Sequence, residues 1–191
     1  MAEKSLTFTQ RMFTRKWIFW IALLGSVVSD LGSKAWADAV IRPEPEKTFP
    51  VIEGFLSWRW AENLGAAFSI FNGQVSVLLS IAALVLLAVM FYALKANPKR
   101  RFYLLALGLV AGGAIGNIYD RALLGYVRDF ILFDFDLPWF GVEIWFYKIP
   151  RRWPIFNIAD IAIMGGVGVM LVMSFFSPDP NKIPEGNPDG A

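Results

Sequence analysis

The chain has 191 residues, of which 56% are hydrophobic and 18% are charged, and its mean hydropathy is +0.49. This composition is too apolar for a soluble domain of that length and predicts one small membrane domain. The absence of histidine and cysteine excludes a histidine base, a thiolate nucleophile, a disulfide framework and a soft-metal site. We expect no metal and no cofactor, and the net charge of +2 is too small to favour nucleic acid as a partner.

Four apolar segments are long enough to cross about 30 Å of hydrocarbon at roughly 1.5 Å per residue. They are residues 17–37, 75–94, 102–119 and 155–176. Basic residues precede the first segment and crowd the link between the second and third, so the positive-inside rule places both termini in the cytoplasm. The sequence therefore predicts an α-helical integral membrane protein with four transmembrane helices.

The same reading divides the chain into three parts. Residues 1–16 are predicted as a cytoplasmic N-terminal extension, residues 17–176 as a single four-helix membrane domain, and residues 177–191 as a disordered cytoplasmic tail. Residues 38–74 and 122–154 then form the outer loops. We expect a small extracytoplasmic β-rich region and an interfacial helix there.

Two short patterns in the outer loops predict strands. Phe133 to Asp136 alternate aromatic and acidic residues with the period of a strand that has one wet face, and Trp58 and Trp60 flank Arg59. Further aromatic side chains are predicted to form an interfacial belt, which is a commoner role for them than substrate stacking. These are Trp139, Trp145, Phe146, Tyr147 and Trp153.

Small and charged residues mark particular helix faces. Gly108, Gly112 and Gly116 recur every four residues along the third segment and predict close packing against another helix. Asp30 and Lys34 are four residues apart near the end of the first segment, the spacing of an ion pair. We favour a structural role for this pair, with a substrate-holding role for Lys34 as the alternative.

Asp160 lies in the otherwise uncharged segment 155–176, where a carboxylate costs roughly 2.5 to 3.5 kcal/mol and is usually functional. Asn157 shares its helix face. Asn117, Asp120 and Arg121 end the third segment, and Asp129 follows them. We expect the polar ends of these two segments to meet.

Two carboxyl groups held close together share a proton near neutral pH, so they supply an acid and a base for water attack on a peptide carbonyl. Spacing alone leaves either Asp120 or Asp129 as the partner of Asp160. For Asp120, which stands beside Arg121, a packing salt bridge or a helix cap is the favoured alternative. The residues alone indicate a carboxyl pair that is capable of this chemistry, and they leave the partner of Asp160 open.

Five short motifs occur in order along the chain: DLGSK at 30–34, NLGAAFS at 63–69, GNIYDR at 116–121, VRDF at 127–130 and FNIAD at 156–160. Together they closely resemble the bacterial lipoprotein signal peptidases, also called signal peptidase II. The resemblance covers about residues 17 to 176. It implies an intramembrane aspartic endopeptidase of the bacterial inner membrane, with its active site near the outer face.

The resemblance also implies substrates, inhibitors and site residues. The substrates are diacylglyceryl-modified prolipoproteins, cleaved just before the lipidated cysteine, and membrane lipids and globomycin-like inhibitors are further partners. Asp129 and Asp160 are the implied catalytic pair. Supporting positions are implied for Asn117, Asp120, Arg121 and Asn157, with Asn63 and Gly65 in an outer loop that closes over substrate. We expect a monomer.

This sequence departs from the family pattern at two places. The segment between the two implied catalytic aspartates is long, and Arg128 occupies a position that is often apolar. Because Arg128 and Asp129 point to opposite faces of a strand, the basic neighbour is not expected to disturb the pair.

Three other functions fit the composition less well. A serine–lysine peptidase needs a serine beside Lys34, but Ser33 projects about 100° away on a helix. A small proton-coupled transporter needs polar residues across the bilayer, whereas the second segment is uncharged. A nonenzymatic membrane assembly factor explains the helices but leaves the acidic residues near the outer face without a role.

Overall fold

The computed structural model describes residues 16–44, 46–65, 74–135, 143–144, 147–148 and 153–176. Its helices are α1 (Trp17–Val40), α2 (Val75–Lys95), α3 (Arg101–Leu124) and α4 (Ile158–Phe176). All four are long and apolar enough to cross a membrane. The predicted class, an α-helical membrane protein with four spanning helices, is confirmed.

Helix α3 is the central helix and packs against α1, α2 and α4. The glycine row faces α1: a Cβ built on Gly108 would lie 2.5 Å from the carbonyl oxygen of Phe19, and one on Gly112 would lie 2.5 Å from that of Leu23. A Cβ built on the adjacent Gly113 would likewise collide with the carbonyl oxygen of Ala159 in α4. The predicted close packing is confirmed, and it brings the end of α1, the end of α3 and the start of α4 together.

The substitution Gly112→Ala is expected to lower the stability of this packing by about 1 to 3 kcal/mol, the usual cost of overfilling a tight interface. The added methyl would meet the Leu23 carbonyl at 2.5 Å and Ser26 Cβ at 2.6 Å, and both atoms belong to α1. Thermal unfolding in detergent measures the change. Gly25→Ala is the control, because its methyl meets nothing within 4 Å; equal losses in both variants would contradict the packing described.

A three-stranded antiparallel sheet lies next to the helix ends, with β1 (Thr48–Ile52), β2 (Leu56–Asn63) and β3 (Val127–Phe133) in that order. In its register, Asp129 lies opposite Ala61. Two short strands, β4 (Glu143–Ile144) and β5 (Tyr147–Lys148), form a separate antiparallel pair. The strand predicted around Trp58 and Trp60 is confirmed as β2.

The strand predicted from Phe133 to Asp136 is wrong in extent. Strand β3 ends at Phe133, and its preceding six residues are all buried. One reason is that Phe130 and Ile131 pack in an apolar cluster with Ala37 of α1. The aromatic and acidic alternation therefore begins where the strand ends, and Asp136 itself lies outside the described residues.

Helix α4 begins three residues later than predicted. Phe156 exchanges backbone hydrogen bonds with Ile131 of β3, at 3.0 and 2.8 Å, so the chain is still extended there. The helix starts at Ile158, and Asp160 consequently lies in its first turn. The bridge to the sheet fixes the start of α4 beside β3.

Several predictions concern residues outside the described part of the chain. They are the N-terminal extension before Lys16, the tail at 177–191, and the belt residues Trp139, Trp145 and Phe146. The helices of the described residues are the four spanning ones, and the expected interfacial helix is not among them.

Candidate active site

Asp129 lies in β3 and is almost completely buried, with 2% of its surface exposed. Its Oδ2 accepts a hydrogen bond from Asn63 Nδ2 at 2.8 Å, and its Oδ1 accepts one from Asn157 Nδ2 at 2.7 Å. Burial, and after it the negative charge of Asp160, raises the pKa of Asp129 to about 7. The two amide donors and the charge of Lys34 oppose this rise without cancelling it.

Asp160 is half-buried in the first turn of α4. Its Oδ2 accepts the backbone N–H of Asn157 at 3.1 Å, while Asn157 Oδ1 accepts the backbone N–H of Asp160 at 3.0 Å. This reciprocal arrangement is a capping box and explains why the helix starts after Asn157. The other carboxylate oxygen, Oδ1, accepts a hydrogen bond from Asn117 Nδ2 at 3.0 Å.

Asn157 joins the two carboxyl groups. Its side-chain amide donates to Asp129 and its backbone N–H donates to Asp160. The same amide lies 3.2 Å from Asn117 Oδ1. Two carboxyl groups from different elements thus converge on one asparagine that is 0% exposed.

Three charged side chains next to Asn117 form a second layer of the site: Asp30, Lys34 and Asp120. Lys34 Nζ donates to Asp30 Oδ2 at 2.8 Å and to Asn117 Oδ1 at 3.0 Å, and it lies 3.3 Å from Asp120 Oδ2. The predicted ion pair of Asp30 and Lys34 is therefore present, and both side chains are 0% exposed. Asp30 Oδ1 also accepts the backbone N–H of Ala159 at 2.9 Å, which ties α1 to α4.

The charged neighbours Asp120 and Arg121 have separate partners. Asp120 is ion-paired with Arg128 at 2.6 Å and with Lys34, so the expected salt bridge exists but does not involve the adjacent arginine. Arg121 donates to the carbonyl of Gly65 at 2.9 Å.

Gly65 and Asn63 form the edge of the site. The backbone N–H of Gly65 donates to Asn63 Oδ1 at 3.0 Å, and Asn63 in turn donates to Asp129. Arg121 therefore holds the backbone of the loop that carries Asn63. This loop continues into residues 66–73, which lie outside the described part of the chain.

Sequence reasoning assigned no role to Arg128, which is a central member of the polar network. Its Nη2 and Nε donate to Asp120, and its Nη1 donates to Asp38 at 2.9 Å. The only sequence signal for this role was that Arg128 occupies a position that is often apolar in the family. In the described ranges, no group of acidic side chains is arranged to hold a metal ion.

The family profile described as Signal peptidase (SPase) II matches residues 21–176. The chain belongs to the signal peptidase II family. It is therefore a protease of lipoprotein processing, and the family is one of bacterial inner-membrane proteins. The match spans all five motifs, three of the helices in full and α1 from residue 21 onward.

Relatives of this signal peptidase II agree with that assignment. The lipoprotein signal peptidase of Clostridium novyi (strain NT) is 33% identical over 153 residues, covering 80% of this chain and 93% of the relative. That of Syntrophomonas wolfei is 38% identical over 157 residues, covering 81% and 90%.

Two solved structures, each described as a bacterial membrane enzyme, share the fold of this signal peptidase II. The first has a TM-score of 0.70 at 27% identity and covers 88% of this chain and 94% of its own. The second has a TM-score of 0.66 at 28% identity, covering 84% and 94%.

Proposed function

We propose that this signal peptidase II removes the signal peptide from diacylglyceryl-modified prolipoproteins, cutting before the lipidated cysteine, with Asp129 and Asp160 as its catalytic pair. The observation that carries the proposal is the shared contact with Asn157, which donates to both carboxyl groups. A buried and a half-buried carboxyl held by two donors of one residue can keep one proton between them.

In the proposed reaction, a water molecule attacks the scissile carbonyl carbon while Asp160 accepts one of its protons. Asp129, whose pKa is about 7, donates its proton to the departing amine nitrogen. The new carbon–oxygen bond and the broken carbon–nitrogen bond give one carboxyl and one amine product. The proton then passes from Asp160 to Asp129, which restores the starting pair.

The neighbouring residues are assigned supporting roles in this proposal. Asn117 and Asn157 orient the carboxyl groups through the hydrogen bonds already given. Asn63, Gly65 and Arg121 place the outer loop against substrate. The second layer, Asp30, Lys34 and Asp120, holds the helix ends in register and does not touch substrate.

The proposed topology puts the site at the outer face and both termini in the cytoplasm. The sheet and the site lie at the end of α3 and the start of α4, whereas Lys95, Arg100 and Arg101 lie at the opposite end of the bundle. A diacylated substrate then approaches sideways from the bilayer. We further propose that the enzyme acts as a monomer and that globomycin-like peptides occupy the substrate site.

Cleavage of a synthetic diacylated prolipoprotein peptide by the purified full chain tests the proposed activity. We expect a single cut before the lipidated cysteine that persists in the presence of chelators and serine-protease inhibitors. Binding or transport without cleavage would favour an assembly factor or a proton-coupled transporter instead.

The pKa of Asp129 predicts how activity depends on pH. Because the proposed acid must be protonated, cleavage is expected to fall as pH rises through about 7. Asn63 lowers this pKa by donating to the carboxylate, so Asn63→Ala is expected to move the alkaline limb of the rate profile to higher pH. Rate profiles of kcat/KM for the variant and for Glu62→Gln, an exposed neighbour, measure the shift. A limb that stays in place in Asn63→Ala would contradict the assignment of Asp129 as the acid.

A further inference from the structure

Arg128 immediately precedes Asp129 in β3, and its side chain takes the opposite face of the strand. The guanidinium donates through Nη2 to Asp120 at 2.6 Å and through Nη1 to Asp38 at 2.9 Å. The backbone N–H of Arg128 also donates to Asp120, at 3.0 Å. One aspartate of α3 therefore holds both the main chain and the side chain of the residue before Asp129.

Asp120 links Arg128 to the charges behind Asp160. Its Oδ2 lies 3.3 Å from Lys34 Nζ, and Lys34 donates to Asn117 Oδ1 at 3.0 Å. Asn117 then donates through Nδ2 to Asp160 Oδ1 at 3.0 Å. A continuous series of short polar contacts thus runs from the arginine to the carboxylate on α4.

The two fully buried carboxylates in contact with Lys34 are balanced only when Arg128 is counted. Asp30, Asp120 and Lys34 have side chains that are 0% exposed, and the Arg128 side chain is 10% exposed. Two carboxylates face two cations. Without the guanidinium, Lys34 alone would have to compensate two buried carboxylates, and a buried unpaired charge is strongly unfavourable.

We propose that Arg128 is a positioning residue for the reaction: it neutralises Asp120, and so keeps Lys34 on Asn117 and the Asp160 carboxylate in place beside Asp129. The inference rests on the proposed function of the aspartate pair. Arg128 acts through other side chains and is not a catalytic residue. Its guanidinium suits the role because it donates to two carboxylates at once, which a lysine ammonium does less well.

The test compares kcat and KM of the purified full chain for a diacylated prolipoprotein peptide. Arg128→Leu is expected to lower kcat by about 10- to 100-fold, the order of loss for a misplaced catalytic group. KM is expected to stay within about twofold, because substrate contacts are unchanged. The kcat of Arg128→Lys should lie between those of Arg128→Leu and the wild type. Arg59 is an exposed arginine on β2, and the kcat of Arg59→Leu should match that of the wild type.

A charge-balanced double variant tests whether Arg128 acts through Asp120, while the comparison of kcat with KM separates positioning from general stability. Asp120→Asn combined with Arg128→Leu leaves Asp30 and Lys34 as a neutral pair, so kcat is expected to recover by roughly threefold or more over Arg128→Leu. An arginine that acts independently of Asp120 predicts no recovery from the second change. Size exclusion shows whether Arg128→Leu folds. If it does not, the kcat of the double variant is compared with the kcat of Asp120→Asn and of Arg128→Lys, and recovery is judged from these variants instead.

Three results would overturn the inference: a wild-type kcat in Arg128→Leu, a loss confined to KM, or a double variant with no recovery. Asp129→Asn is measured in the same assay. An active Asp129→Asn would overturn the proposed pair itself, whereas an inactive one beside a fully active Arg128→Leu would overturn the role of the arginine alone.

Discussion

Replacing Asp129 by asparagine is expected to lower the cleavage rate by about 100- to 10,000-fold, the range that general acid–base catalysis contributes. Asparagine keeps the size of the side chain but has no proton to donate to the leaving amine. The change also removes a carboxyl whose pKa is raised to about 7 by burial and by the charge of Asp160, so the fold does not lose a stabilising charge. Single-turnover cleavage of the diacylated peptide measures the effect, and thermal unfolding should show an intact protein.

Asp134→Asn is the matched control for that experiment, since it makes the same chemical change five residues along the chain, just past the end of β3. It is expected to cleave at the wild-type rate. Asp160→Asn should be as inactive as Asp129→Asn, because the two groups are proposed to act as a unit. Activity retained in either variant of the pair would remove the basis for the mechanism.

Replacing Lys34 by methionine is expected to destabilise the protein by about 3 to 5 kcal/mol, the usual cost of removing one partner from a buried charge cluster. Methionine fills similar space, but Asp30 and Asp120 would lose the ammonium that lies 2.8 and 3.3 Å from them. Both carboxylates are 0% exposed, so water does not replace it. Denaturant titration in mixed micelles measures the free energy of unfolding.

Lys95→Met provides the comparison, because Lys95 is exposed at the end of α2. Its stability is expected to stay within about 0.5 kcal/mol of the wild type, as for most surface substitutions. Equal stability of Lys34→Met and wild type would show that Lys34 does not compensate the buried acids.

The helices were predictable because length and apolar composition are enough to identify a membrane-spanning segment. The residues at which the helices begin and end were less predictable, and α4 is an example. Ile155 and Phe156 are as apolar as the helix that follows, but Phe156 pairs with Ile131 of β3 and keeps the chain extended. Hydropathy reports where a residue is buried and not the conformation in which it is buried.

The candidate site was predictable where partners are close in sequence. The spacing of Asp30 and Lys34 indicated their ion pair, and the spacing of Asn157 and Asp160 indicated a shared helix face. The choice of Asp129 came only with the family resemblance, because spacing treats Asp120 and Asp129 alike.

The role of Arg128 was not predictable from any local rule. One of its partners, Asp38, lies 90 residues away, and the other, Asp120, is reached only after the chain turns from α3 into β3. No helical or strand periodicity relates these positions. Their meeting follows from the packing of α1, α3 and the sheet.

Infrared titration of the Asp129 carboxyl most directly tests whether the two aspartates act as a pair. The band of the protonated group is identified by its absence in Asp129→Asn. In the wild type it is expected to persist up to a pH of about 7, and in Asp160→Asn its midpoint should move to lower pH because the neighbouring negative charge is gone. A midpoint at the ordinary aspartate value, or one that is the same with and without Asp160, would contradict the account.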